Sequence, residues 1–184
     1  ELIEIGSFVS DMVVPAMSNT DELINKLGNI DNYSVLIPNK KGLDKAKDNG
    51  VKEICTVLCV TDSMNKKNIN QTVHETLNDL REIFTEGIKN GIRTKCYVSV
   101  AYHCPYEGKV DAAYVNDVIG QLIDYQVEEL VIADTIGAAN PKEVTSLLSS
   151  LKSQYKDTSF SCHFHDTRAL GLANVYASLV AGIN

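Results

Sequence analysis

Short apolar runs and longer amphipathic stretches alternate about six times along the 184 residues, with no low-complexity linker between them. Residues 33–37, 53–60, 94–101, 129–133 and 158–165 are rich in β-forming side chains and read as strands, and residues 1–5 read as the end of another. Between them apolar positions recur at helical spacing. Leu23, Ile24, Leu27 and Ile30 do so in 20–30, and Val73, Leu77, Leu80, Phe84 and Ile88 in 71–90. Val115, Val118, Ile119, Leu122 and Ile123 do so in 111–125, and Val144, Leu147, Leu148 and Leu151 in 141–155. Residues 41–49 and 167–181 complete the helices. Gly50 and Gly91 stop two of them, and Asn140 with Pro141 opens another. Residues 61–70, 102–110 and 134–140 read as polar loops.

Repeated strand–helix order implies a parallel sheet flanked by helices, either an open doubly wound sheet or a closed (β/α)8 TIM barrel. A full barrel takes about 250 residues. The run begins inside a strand, which favours the barrel. The expectation is an α/β chain, one partial catalytic domain over 1–184. It would be a barrel fragment covering about strands 2 to 7, without the first strand and the last βα unit.

The net charge of -7 argues against nucleic acid or an anionic membrane as partner, since both need a basic face. No apolar run approaches the ~18 residues of a membrane span. Cys55, Cys59, Cys96, Cys104 and Cys162 are odd in number and form no CxxC pair, so they read as reduced thiols of a cytoplasmic protein.

Polar residues gather where strands end and helices begin, and in either architecture that is the active face. The sharpest group is His163-Phe164-His165-Asp166-Thr167. Strand alternation projects His163 and His165 together, and two imidazoles aimed at one point form half of a metal site. The alternative is a polar pair with no ligand. Asp166, at the strand end, could orient a histidine or join an outer shell around the site. Asp134 ends an apolar strand, either as a functional carboxylate or as a turn residue capping backbone amides. Glu4 interrupts Leu2-Ile3-Glu4-Ile5, and points either into a barrel or to solvent. Lys66 to Asn70 could bind phosphate or carboxylate, or simply form a solvated helix entry.

Glu4-Ile5-Gly6-Ser7-Phe8-Val9-Ser10, Pro38-Asn39-Lys40-Lys41-Gly42, Lys66-Lys67-Asn68-Ile69-Asn70, Cys104-Pro105-Tyr106-Glu107-Gly108-Lys109, Asp134-Thr135-Ile136-Gly137 and the HxHDT segment resemble hydroxymethylglutaryl-CoA lyases, in order and spacing. The HxHDT and DTIG segments are also shared with isopropylmalate synthases and other barrels of the wider superfamily. The resemblance implies Mg2+ or Mn2+ held by His163 and His165. It implies catalytic roles for Glu4, Asp134 and His163, and substrate contacts at Ser7, Asn68 and Thr135. The substrate would be a small-molecule CoA thioester, and by analogy the assembly a homodimer. The family's first-strand Arg-Asp pair, its Gly-rich loop with a catalytic Cys and its eighth-strand Asn ligand have no counterpart here. These 184 residues alone are therefore expected not to turn over substrate.

Overall fold

The computed structural model describes residues 3–10 and 12–183. In chain order the elements are β1 (Ile3–Ser7), α1 (Thr20–Leu27), β2 (Tyr33–Leu36), α2 (Lys40–Asp48), β3 (Glu53–Cys59), α3 (Asp62–Ile69) and α4 (Val73–Lys89). Then come β4 (Arg93–Ser99), β5 (His103–Cys104), β6 (Gly108–Lys109), α5 (Ala112–Asp124), β7 (Glu129–Asp134), α6 (Pro141–Gln154), β8 (Ser159–Phe164) and α7 (Gly171–Val180). The expected alternation is present. The part of the first strand assigned to Glu1 and Leu2 lies outside the described residues.

Contacts divide the chain into two units. One comprises Glu1–Thr56 with Asn78–Lys95. It holds β1, β2 and the first halves of β3 and β4, hydrogen-bonded in that order. Glu4 pairs with Ser34, and Ser34 with Glu53, in parallel register. Leu80, Ile83 and Phe84 of α4 and Ile54 of β3 are buried. Each such side chain contributes about 1.5–3 kcal/mol. A Cβ on Gly87 of α4 would touch Thr94 and Ile54, so these two face the helix. Alternation then turns Glu4, Ser34, Glu53, Cys55 and Lys95 to the opposite face. There the buried Glu53 carboxylate pairs with Arg93 at 3.0 Å and Lys95 at 3.4 Å.

The other unit comprises Val57–Leu77 with Cys96–Asn184. It holds the second halves of β3 and β4, then β7 and β8, in that order. β7 and β8 run parallel, with Ala133 opposite His163 and Asp134 opposite Phe164. Its core is built from Val115, Ile119 and Leu122 of α5, Leu130 and Ile132 of β7, and Val144, Leu148 and Leu151 of α6. Asn140 and Glu143 form a reciprocal capping box at the start of α6.

Four local expectations need correction. Residues 61–70 hold the helix α3 instead of a loop. The loop at 102–110 contains a small antiparallel hairpin, with His103 opposite Lys109 and Cys104 opposite Gly108. Gly108, the first residue of β6, has φ 75°, a left-handed conformation that favours glycine. α7 begins at Gly171, because Asp166 to Leu170 form a separate turn. α1 stops at Leu27, and Leu23 and Leu27 of its expected apolar face are exposed.

Candidate active site

β8 delivers the sharpest sequence motif. Cys162 faces the helices, where Ser178 of α7 opposes the effect of burial on its thiol, and the Phe164 ring on the same face lies 6.5 Å from that of Tyr102. Burial pushes the Cys162 thiol up to about 12. His163 and His165 project the other way, as alternation requires. Their ring centroids are 5.0 Å apart with planes at 68°, and both side chains are exposed. The Tyr97 ring meets His163 edge-on at 6.2 Å.

The segment after β8 is braced from behind. Gly137 has φ 61°, and a Cβ there would come within 2.9 Å of the His165 carbonyl and the Thr167 nitrogen. Arg168 Nη1 donates to the carbonyls of Ile136 and Gly137 at 3.0 and 3.1 Å. Asp166 accepts from the Gly171 amide at 2.7 Å. It thus starts α7, where the sequence had suggested a partner for a histidine.

Asp134 is 1% exposed, and its carboxylate accepts from the amides of Ala138 and Ala139 at 2.9 and 3.0 Å. Its register with Phe164 puts it on the face away from His163. Of the two roles open to it, capping backbone amides is the one its bonds display. Thr135 Oγ1 accepts from the Val100 amide at 2.8 Å. Val100 is buried at φ 51°, a strained setting for a β-branched residue that costs about 1–3 kcal/mol. No sequence signal marks it.

Asn68 lies exposed on α3, its amide 3.9 Å from the Cys59 sulfur. The helix is anchored by Asn65, which sequence reasoning missed. Its Oδ1 accepts from the Cys59 amide, and its Nδ2 lies 2.7 Å from Thr76 Oγ1 and within 3.1 Å of the carbonyls of Gln71 and Thr72. Cys104 of the hairpin accepts from Thr61 Oγ1 at 3.1 Å and from the Tyr106 amide at 3.4 Å. Burial raises that thiol, and these donors outweigh burial, leaving it below its ordinary value.

Glu4 and Ser7 belong to the first unit. Glu4 is exposed, on the face opposite the helices, beside Ser34 and Cys55. Burial pushes the Cys55 thiol up to about 12; Ser34 opposes this and the Glu4 carboxylate adds to it. Ser7 is buried and donates its hydroxyl to the Leu36 carbonyl at 3.2 Å. Asn68, Asp134, Thr135, His163 and His165 all belong to the second unit.

Two neighbouring, exposed imidazoles suit a divalent cation as two of its ligands. Among the described residues no cluster of three or more His, Cys, Asp or Glu side chains completes such a set. The donor pair thus fits as part of a site.

The HMGL-like family model matches residues 1–184. The chain belongs to the HMGL-like family. A hydroxymethylglutaryl-CoA lyase of Bacillus subtilis is 34% identical over 183 residues, 98% of this chain and 61% of that protein. The mitochondrial hydroxymethylglutaryl-CoA lyase of Bos taurus is 34% identical over 185 residues, 100% of this chain and 57% of that protein. The crystal structure of the B. subtilis HMG-CoA lyase matches with a TM-score of 0.95 at 34% identity, covering 99% of this chain and 62% of that one. The HMGL-like chain thus has the expected α/β fold of the (β/α)8-barrel class. It spans about three fifths of the length of the curated relatives it matches. No helix among its described residues is long and apolar enough to cross a membrane.

Proposed function

We propose that the full-length protein is a carbon–carbon lyase that cleaves 3-hydroxy-3-methylglutaryl-CoA to acetoacetate and acetyl-CoA. The observation that carries this reading is the pair of exposed imidazoles at the end of β8, 5.0 Å apart, in a chain of the HMGL-like family. His163 and His165 would hold Mg2+ or Mn2+ together with oxygen ligands. That cation, when bound, supplies Lewis acidity at the substrate's tertiary alcohol.

The chain's own groups do the rest. A base receives the alcohol proton, with His163 assisting that transfer. The carbon–oxygen bond then becomes a ketone as the adjacent carbon–carbon bond breaks. Its electron pair passes to the thioester enolate, which takes a proton to give acetyl-CoA. Glu4, with its exposed carboxylate, is proposed as a further catalytic group. Asp134 acts through the turn it holds, which fixes Thr135. The Val100 amide donates to the Thr135 oxygen, and Thr135 is proposed to give its own proton to a substrate oxygen. Ser7 and Asn68 are further substrate contacts. Five free cysteines suit a cytoplasmic setting.

The test is a direct comparison with the full-length protein. One arm offers 3-hydroxy-3-methylglutaryl-CoA, and the other acetyl-CoA plus 2-oxo acids. Acetoacetate released in the first arm alone is the expected result. Condensation in the second arm without cleavage in the first would replace the lyase by a Claisen-type synthase.

A further inference from the structure

The β5–β6 hairpin is gripped from two sides, both within the second unit. On one side Cys104 accepts from Thr61 Oγ1, while Glu107 accepts from the Ser63 amide at 3.2 Å and from the Ser63 hydroxyl. These bonds tie the hairpin to the first turn of α3. On the other side the cross-strand partners His103 and Lys109 close on one carboxylate. His103 Nε2 lies 3.1 Å from Glu143 Oε2, and Lys109 Nζ donates to Glu143 Oε1 at 3.0 Å. The same carboxylate accepts from Asn140 Nδ2 at 2.9 Å and from the Asn140 amide at 3.3 Å, as the capping partner of α6.

A cavity of about 320 Å3 lies between hairpin and helix, lined by Tyr102, Lys109, Val110, Asn140, Glu143 and Leu147 among others. Packing therefore does not seal this junction, and the charged contacts span it. α3 carries Asn68, and α6 is entered from the turn that holds Asp134 and Thr135. The hairpin is the piece between them.

We infer that Glu143 is a positioning residue, whose clamp on His103 and Lys109 sets the hairpin, and through it the spacing of α3 and the 134–139 turn. Its effect on turnover rests on the lyase reading, whereas the clamp itself does not.

Glu143→Gln separates its two duties. A Gln at this helix position still serves a capping box. It loses the charge that strengthens the bonds to Lys109 and His103. The experiment measures amide hydrogen exchange and steady-state cleavage of 3-hydroxy-3-methylglutaryl-CoA in the full-length protein. The variants are Glu143→Gln, Lys109→Met and the double. Exchange across 103–110 should quicken roughly 5- to 10-fold in each single variant, with α6 unchanged. The double variant should add nothing further. kcat should fall roughly 5-fold with KM little changed, since misplacement acts on the bound state.

Unchanged exchange at 103–110 in Glu143→Gln, or additive effects in the double, overturns the clamp. Faster exchange with kcat and KM both unmoved overturns the positioning role and leaves a structural fastening. A wild type that does not cleave the thioester sinks the lyase reading instead. The inference is then decided by exchange alone: quickening must reach 134–140 as well as 103–110, or it fails.

Discussion

A carboxylate taken out of water needs partners, and Asp134 finds two backbone amides. Asp134→Asn keeps one acceptor but turns an amide nitrogen toward a second N–H. We expect a loss of about 1–3 kcal/mol, read as a lower urea midpoint at unchanged slope. A variant as stable as the wild type would show that the two bonds carry little. Glu143 gives a pH signature. Burial raises its carboxyl, and Lys109, His103 and Asn140 outweigh burial, so its folded value lies below the ordinary one. A depressed carboxyl stabilises the fold above its unfolded value of about 4.3, and the stabilisation is lost as pH falls through the folded value. The stability difference between wild type and Glu143→Gln should therefore be full above that range and shrink on acidification. A difference that grows with acid would contradict this. The capping role of Glu143 was legible, because it follows Asn140 by three residues. Its grip on His103 and Lys109 was not, since those contacts join residues 34 and 40 positions apart.

Turns hold the site together as much as strands do. At Gly137 a side chain would be strained by φ and would strike backbone at 2.9 Å. Gly137→Ala should cost about 1–3 kcal/mol and displace the His165–Thr167 segment it supports. Urea unfolding and imidazole NMR shifts report the two effects, and unmoved His165 resonances would rule out the support. Asn65 anchors α3 through a buried side-chain amide. Apolar periodicity revealed α4, α5 and α6 because each buries a regular face, while a continuous apolar run revealed β7, which is buried on both faces. It missed α3, whose only buried residue is Asn65, so that its stability comes from polar bonds. It missed the hairpin because two-residue strands carry no period. At β8 alternation sufficed, since one face meets helices and the other does not.

The family match runs the full 184 residues, while identity to each cited relative is about a third. All five cysteines are free, and burial pushes Cys55 and Cys162 up to about 12 and Cys59 to about 11. Thiols so raised are almost wholly protonated near neutral pH and react slowly. Under native conditions these three should resist alkylation, and in urea they should label at the rate of free cysteine. Rapid native labelling would mean a far looser core. The most direct probe of the metal pair is a Mn2+ titration of the full-length protein, followed by electron paramagnetic resonance. One tightly bound Mn2+ is expected in the wild type, with affinity falling about 10- to 100-fold or more in His165→Ala. Equal Mn2+ affinity in the two proteins would contradict the assignment of these imidazoles as ligands.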